Sequence, residues 1–150
     1  MGLWRETNKD SEDAVTVAVE RGSLMPTKGT PMSACYDLQS AKKINIPGKS
    51  TAKVDLRLRV AIPAGFMMLL LGRSGLSLKN ISLRGGVIDA DFRCSIQAIL
   101  FNGNEEDFLI NKGQRVCQAL LLPTLNVDWK EVDHLPPPPT QHSGFGSTGQ

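Results

Sequence analysis

Apolar side chains recur at every second position in two stretches of the chain. Valine occupies positions 15, 17 and 19, and apolar residues occupy positions 54, 56, 58 and 60, with charged residues between the latter. A period of two is typical of a strand that turns one row of side chains towards a core and the other towards water. We therefore predict strands over residues 15–19 and 54–60, and a more fully buried strand over the apolar run 66–71.

Turn-forming residues separate the apolar stretches at short intervals. Proline and glycine mark turns at positions 26, 28–29, 47–48, 63–65, 102–103 and 112–113. Many short strands with such spacing favour an all-β sandwich or barrel. The pattern allows one helix, a short one near residues 75–80.

Composition and charge narrow the class of protein. The chain has 150 residues, 41% hydrophobic and 21% charged, which fits one folded domain and excludes wholesale disorder. A net charge of +2 supplies no basic field, so we expect no stable nucleic-acid binding. The longest apolar run, residues 66–71, is far shorter than the roughly 20 residues that cross a bilayer, so we expect no membrane insertion.

The three cysteines, at positions 35, 94 and 117, show no C-x-x-C spacing. Their odd number argues against a disulfide framework or a zinc site and favours a reducing compartment. No charged stretch followed by an apolar segment opens the chain. We therefore expect no secretory signal and a cytoplasmic or nuclear location.

The composition also divides the chain into three parts. We expect an N-terminal arm and first strand over residues 1–22, a β domain over 23–134, and a proline-rich hinge with a glycine-rich C-terminal arm over 135–150. Four prolines at 136–139 favour an extended, stiff hinge. The arm after them is either a disordered terminus or a segment that orders over a ligand or a neighbouring subunit, with Phe145 as its anchor.

Three segments carry residues suited to chemistry. Residues 72–75, Gly-Arg-Ser-Gly, form either a phosphate cradle or an ordinary surface turn. In an extended segment Asp89 and Asp91 would share a face, where they could bind a metal or orient a water. The alternative is a hairpin end in which both carboxylates bond nearby backbone. Gln118, among apolar neighbours, is either a ligand contact or a satisfied buried amide.

The order of five segments identifies a resemblance that no single segment establishes. Along the chain they are SACYDL (33–38), GRSGL (72–76), GVIDADFR (86–93), GQRVCQ (113–118) and GFGSTG (144–149). In this order they resemble the five motifs of trimeric-type dUTPases, over about residues 24–149.

This resemblance implies a fold and an activity. The fold would be an all-β, distorted jelly roll of the β-clip type with at most one short helix and a C-terminal arm. The protein would be a dUTP diphosphatase that hydrolyses dUTP to dUMP and pyrophosphate with Mg²⁺, in a homotrimer whose active sites lie between subunits. It would limit uracil incorporation into DNA and supply dUMP for dTTP synthesis.

The resemblance also implies roles for individual residues. Asp89 would activate the attacking water, and Asp37 would help to hold the metal ion through a water. The substrate-binding residues would be Arg73, Ser74, Gly75, Gly86, Val87, Ile88, Phe92, Gln118, Phe145, Gly146 and Ser147. Among them Phe92 would pack against the deoxyribose, and Phe145 would stack on the base.

Four positions depart from the family pattern. Cys35 and Cys94 stand where glycine is usual, Gly72 replaces a proline, and Thr140 stands where an arginine usually binds the γ-phosphate. A Cβ at Cys94 would strain the pocket if that position needed a positive φ. A catalytically weakened nucleotide-binding or regulatory protein is therefore the alternative. The dCTP deaminase class shares the fold, but the arm and the 86–93 segment favour the nucleotidohydrolase pattern.

Overall fold

A computed structural model describes residues 14–140, and these form eleven strands and one short helix. The predictions for residues 1–13 and 141–150 lie outside the described residues. The elements are β1 (Ala18–Val19), β2 (Tyr36–Gln39), β3 (Ile44–Ile46), β4 (Thr51–Asp55), β5 (Val60–Ala61), β6 (Phe66–Leu71), α1 (Ser74–Ser77), β7 (Ile81–Arg84), β8 (Val87–Ile88), β9 (Gln97–Asn102), β10 (Phe108–Ile110) and β11 (Arg115–Pro123). This confirms the prediction of an all-β domain with at most one short helix.

The strands pair antiparallel in four sheets. The larger sheets have the orders β2-β11-β6-β8 and β4-β9-β7, and two-stranded ribbons join β1 to β5 and β3 to β10. Neighbours in a sheet are mostly distant in sequence, so the chain crosses repeatedly between sheets. Buried residues from both larger sheets belong to one hydrophobic cluster, which places a single core between them.

The alternating stretch 54–60 shows where local pattern and tertiary pairing differ. Its four apolar residues are all buried, with at most 5% of each exposed. The prediction of one continuous strand is nevertheless wrong, because β4 ends at Asp55 and β5 begins at Val60. Between them Arg57 has a φ of 45°, a left-handed conformation that interrupts a regular ladder. Inward alternation survives the break, because backbone hydrogen bonds join Ile96 to both Leu56 and Leu58.

The apolar run 66–71 forms β6, as predicted, and β6 lies between β11 and β8. Its partner segment approaches unusually closely at Gly86, whose carbonyl accepts a 2.7 Å hydrogen bond from the Leu70 N–H. Gly86 has a φ of 118°, and a Cβ there would lie 2.8 Å from the Leu70 carbonyl oxygen. Only glycine meets both conditions, so this residue fixes how the β7–β8 connection lies on the central strand.

The N-terminal stretch 15–19 is less regular than its alternation predicts. Only Ala18–Val19 form a strand, and Val15 is 43% exposed. The short ribbon of β1 with β5 therefore lies at the margin of the core. Within residues 14–140, no helix has the length and apolarity needed to span a membrane.

Candidate active site

A cleft of about 590 Å³ opens where the end of β6, the start of α1 and the beginning of β11 meet. Five residues predicted from separate segments line it, namely Asp37, Arg73, Ser74, Gly75 and Gln118. They come together because β11 pairs with both β2 and β6, which places residues from three distant parts of the chain side by side.

Asp37 organises the charges of the cleft. Its Oδ1 lies 3.2 Å from Nε of Arg73, and its Oδ2 lies 3.3 Å from Nη1 of Arg115. Arg73 also donates through Nη1 to the backbone carbonyl of Arg115 at 3.1 Å. Because only 14% of the Asp37 side chain and 33% of the Arg73 side chain are exposed, this pair is better shielded from water than an ordinary surface ion pair, whereas Arg115 is 57% exposed. One carboxylate thus fixes the orientation of two guanidinium groups.

Gln118 lies at the junction of the three strands. It is opposite Asp37 on β2 and opposite Leu71 on β6, and its Nε2 donates to the carbonyl of Gly72 at 2.8 Å. The amide therefore has an internal partner, as one of the two alternatives predicted. The side chain also lines the cleft, and its contact with a ligand stays a prediction. The side chain of its neighbour Cys117 points to the opposite face of the sheet, into the core.

Cys117 is completely buried and belongs to the hydrophobic core. Burial raises the pKa of its thiol to about 12, although the charge of Arg73 opposes the shift. The thiolate is the reactive form of cysteine, so this group is not suited to act as a nucleophile at neutral pH.

The cleft also contains residues to which the sequence analysis gave no role. Arg115 and Lys79 line it, and so does Cys35, one of the four residues that depart from the pattern of the five motifs. Three cationic side chains thus face the single carboxylate of Asp37, which leaves the lining with an excess of positive charge. Arg115 could have been identified from the sequence, because it belongs to the 113–118 segment. The position of Lys79 depends on the turn that follows α1.

The second group of predicted residues lies on β8, the residues just before it and the turn after it, outside the lining of the cleft. This segment is not a hairpin, because β8 pairs with β6 whereas β7 pairs with β9. Val87 is 62% exposed and Phe92 is 37% exposed, whereas Ile88 points into the core. Asp89 is exposed. An aromatic side chain and a carboxylate therefore face outwards from one short segment.

The strand register explains why one chain does not unite the two groups. Ile88 on β8 pairs with Met68 on β6, whereas the cleft begins beyond Leu71 at the end of β6. With a rise of about 3.3 Å per residue, Asp89 lies roughly 10–15 Å from the end of β6 along the strand direction. A ligand that contacts both the cleft and Asp89 of the same chain would therefore have to span that distance.

Asp89 and Asp91 do not lie on an extended strand. The Phe92 N–H donates to the Asp89 carbonyl at 3.1 Å, so the backbone turns between them. The condition under which they would share a face is not met. Cys94, which follows this turn, does not adopt a positive φ. Its Cβ therefore causes none of the backbone strain that a positive φ would have produced.

The predicted contacts of the C-terminal arm, Phe145, Gly146 and Ser147, lie outside the described residues. Thr140, the last described residue, is exposed. The segment before it presents apolar side chains to water at alternate positions. Leu125, Val127 and Trp129 are 88%, 59% and 93% exposed.

Comparisons with known proteins agree with this geometry. The family model described as dUTPase matches residues 22–149. The deoxyuridine 5'-triphosphate nucleotidohydrolase of Arabidopsis thaliana is 39% identical over 85% of this chain and 77% of its own length. The enzyme of that name from Candida albicans is 40% identical over 84% and 81%, respectively. That from Rattus norvegicus is 35% identical over 97% and 72%.

Solved structures show the same fold. The dUTPase of Staphylococcus bacteriophage 80alpha with dUpNHpp has a TM-score of 0.82 at 23% identity and covers 89% of this chain and 98% of its own. A mutant dUTPase of phage phi11 of S. aureus, described with a structural Mg(II) ion, has a TM-score of 0.73 at 23% identity, covering 79% and 97%. The prediction of a jelly-roll-like dUTPase fold is thereby confirmed.

Proposed function

This chain is a member of the dUTPase family, and from that membership we propose that it hydrolyses dUTP to dUMP and pyrophosphate. The reaction limits uracil incorporation into DNA and supplies dUMP for dTTP synthesis. The observation that carries the proposal is the cleft in which Arg73, Ser74 and Gln118 gather around the paired carboxylate of Asp37. The relatives support this activity over the weakened or regulatory alternative, and the absence of a positive φ at Cys94 removes one argument for that alternative.

In this proposal the cleft binds the triphosphate. Arg73 uses Nε and Nη1 internally, which leaves further guanidinium N–H donors for phosphate oxygens. Gln118 likewise has a second amide hydrogen beyond the one donated to Gly72. Ser74 and Gly75 supply a hydroxyl and a backbone N–H. Phosphoryl transfer depends mostly on positioning and on neutralising developing charge, and donors held in advance serve both purposes.

The 86–93 segment and the arm would complete the site. Asp89 orients and deprotonates the water that attacks the α-phosphorus, and it bonds the sugar 3'-hydroxyl. Phe92 packs against the deoxyribose and leaves no room for a 2'-hydroxyl. Backbone groups of residues 86–88 bond the uracil, while Phe145 stacks on it and Gly146 and Ser147 also contact the substrate. The exposure of Asp89 and Phe92 leaves them accessible to a ligand.

Mg²⁺ fits this donor set as a companion of the substrate. Among residues 14–140, no three His, Cys, Asp or Glu side chains converge as a metal cage would require. Mg²⁺ commonly binds through one or two carboxylates, substrate phosphates and waters, and Asp37 is a carboxylate in the phosphate cleft. We propose that Asp37 would hold the ion through a water. When bound, the ion would neutralise phosphate charge.

We propose a homotrimer with active sites between subunits, and the separation of the two groups of residues within one chain supports shared sites. In the proposed assembly the 86–93 segment of one subunit faces the cleft of another. The exposed apolar side chains at 125, 127 and 129 are also more easily explained as a surface that a neighbouring subunit covers. We further propose the division into parts 1–22, 23–134 and 135–150, with the last carrying the arm.

We also propose a reducing compartment, the cytoplasm or the nucleus. The cysteines at 35, 94 and 117 are free thiols, and Cys94 is exposed, where oxidising conditions would expose it to disulfide exchange.

A substrate panel tests the activity directly. Purified protein should release pyrophosphate from dUTP in the presence of Mg²⁺, more slowly when EDTA removes the metal, and much less from dCTP, dTTP or UTP. A deaminase would instead release ammonia from dCTP. Binding of dUTP without pyrophosphate release would support the regulatory alternative and contradict the proposal.

Complementation tests the shared sites separately. Asp89→Asn and Arg73→Ala should each be nearly inactive alone, since each removes one half of every site. When the two are unfolded and refolded together, about a quarter of the sites in random trimers receive both intact halves and should regain activity. No recovery in the mixture would show that each chain builds its site alone.

A further inference from the structure

The turn that carries Asp89 and Phe92 is weakly tied to the rest of the chain. Residues 89–94 belong to no strand, and the backbone hydrogen bond between Phe92 and Asp89 lies within the turn itself. Among the described residues, one hydrogen bond joins this segment to a distant element, and Arg59 donates it. That bond is therefore positioned to control where the turn lies.

Arg59 contacts the turn and the N-terminal segment at the same time. Its Nε donates to the carbonyl of Arg93 at 3.0 Å, and its Nη1 lies 3.0 Å from Oε2 of Glu20. The backbone of Arg59 is fixed as well, because its carbonyl accepts from the Glu20 N–H at 3.0 Å and its N–H donates to Oγ of Ser23. The guanidinium thus starts from an anchored backbone and is oriented by a carboxylate.

Arg93 carries the constraint into the turn. Its Nη1 donates to the carbonyls of Ala90 at 2.7 Å and Phe92 at 3.0 Å. A continuous set of hydrogen bonds therefore runs from Glu20 through Arg59 and Arg93 to the backbone between Asp89 and Phe92. No other residue type could replace Arg59 fully, because two different nitrogens of one planar group serve two acceptors.

We propose that Arg59, oriented by Glu20, is a positioning residue that fixes the turn bearing Asp89 and Phe92. The inference rests on the proposed function for its catalytic consequence, but the structural part stands independently. Both side chains of the ion pair are about half exposed, at 50% and 55%, so the pair should add little to global stability. Its effect should instead appear in geometry, where small displacements of reacting groups reduce rates strongly.

The first experiment compares Arg59→Gln with Arg57→Gln. Arg57 is two residues away, and within residues 14–140 its hydrogen bonds use its backbone N–H and carbonyl rather than its guanidinium, so it controls for lost charge. Arg59→Gln should lower kcat/KM for dUTP about two- to tenfold, the range of one net hydrogen bond. It should also lower the ratio of dUTP to UTP turnover, because Phe92 is displaced. Arg57→Gln should leave both values near those of the wild type.

A second measurement needs no activity. Cys94 is exposed and follows Arg93 directly, whereas Cys117 is completely buried, so in a Cys35→Ser background a nitroxide label should attach at Cys94. The electron paramagnetic resonance spectrum should show a more mobile label in Arg59→Gln than in the parent or in Arg57→Gln. If the wild type fails to hydrolyse dUTP, the proposed function is contradicted while these spectra still test the positioning role.

Glu20→Gln provides a milder variant should Arg59→Gln fold poorly. It keeps the bond from Arg59 to Arg93 but weakens the orientation of the guanidinium, so its effects on selectivity and label mobility should be smaller and in the same direction. Unchanged label mobility and unchanged selectivity in Arg59→Gln would overturn the proposal. Equal changes in Arg57→Gln would overturn it too, since general charge loss would then be the cause.

Discussion

The cleft around Asp37 and the turn at 89–94 differ in how each is held. In the cleft, Asp37 pairs with Arg73 and Arg115, and its side chain is 14% exposed. The positions of these three charged groups are therefore fixed by contacts within one chain. In the turn, Asp89 is exposed, and residues 89–94 have a single hydrogen bond to a distant element among those described. The first group is arranged before any ligand binds, while the second lies open at the surface.

This difference indicates a division of labour. Cationic groups for a triphosphate gain from advance arrangement, because reorienting them during the reaction would cost free energy. In the proposed function, Asp89 and Phe92 contact a ligand that the cleft of another subunit binds, and this requires both side chains to be accessible. Substitutions in the cleft should therefore act through charge, and substitutions in the turn through placement and proton transfer.

The largest effect is expected from Asp89→Asn. Asparagine has nearly the same shape and can still bond the 3'-hydroxyl, but it cannot accept the proton of the attacking water. General-base catalysis contributes about 10²–10⁴-fold, and kcat should fall by that order while dUTP binding persists. Rates and calorimetric titration with dUTP measure the two quantities. Asp91→Asn, in the same turn, is the control, and more than about a tenth of wild-type activity in Asp89→Asn would exclude the catalytic role.

Truncation after Thr140 tests whether cleft and turn suffice without the arm. The residues of the hydrophobic core cluster lie between Val17 and Leu121, so thermal unfolding and oligomer mass should be unchanged. Turnover should fall by about two orders of magnitude, because positioning of the substrate is lost. A truncated protein as active as the full chain would show that the arm takes no part in the reaction.

Asp37→Asn should disrupt the cleft most directly. The substitution removes the negative charge that offsets the repulsion between Arg73 and Arg115. Charge-assisted hydrogen bonds of this kind contribute about 1.5–3 kcal/mol. We expect kcat/KM for dUTP to fall roughly ten- to a hundredfold. Asp107→Asn is the matched control, because Asp107 accepts a hydrogen bond from Asn45 on a different ribbon. Equal losses in both variants would mean that the effect is structural.

Thr140→Arg should act in the opposite direction. If position 140 faces the γ-phosphate, an added guanidinium provides a charge-assisted contact and should raise kcat/KM for dUTP by about tenfold. The gain should be smaller for dUDP, which lacks that phosphate, and it should shrink at high salt. Equal effects on both nucleotides would show that residue 140 does not occupy the γ-phosphate position.

The smallest effect is expected at Asp55, which accepts a hydrogen bond from Ser95, the residue that directly follows the 89–94 turn. The Arg57 N–H and then the Ser95 hydroxyl lower the pKa of Asp55 below its ordinary value of 3.8, with burial opposing them. A lowered folded-state pKa stabilises the fold above about pH 4, and this contribution is lost as the pH falls through the folded-state value. Asp55→Asn should therefore reduce Tm by a few degrees at pH 7.

The same substitution should make progressively less difference to Tm as the pH falls through the lowered folded-state pKa of Asp55, because the carboxyl of the wild type then becomes protonated as well. Thermal melts of both proteins across this range measure the effect. A difference in Tm that stays constant with pH would show that the ionised carboxylate is not the stabilising form.

Much of this protein was predictable from its sequence because the governing interactions are local or repeated. Alternation and turn residues predicted an all-β domain, since side chains on a strand point to opposite sides whatever the strand pairs with. The resemblance carried by the five ordered segments predicted phosphate contacts for Arg73, Ser74 and Gln118 and a metal contact through water for Asp37, and the structure brings all four to one cleft.

Other features were decided by tertiary structure alone. The pairing of Asp37 with Arg115 joins positions 78 residues apart in sequence and exists only because β2 and β11 pair in one register. The left-handed Arg57 and the bond from Arg59 to Arg93 likewise depend on how distant segments meet. Sequence patterns report which side of a strand a residue faces. Which residue lies opposite depends on strand register, and register results from packing the whole core at once.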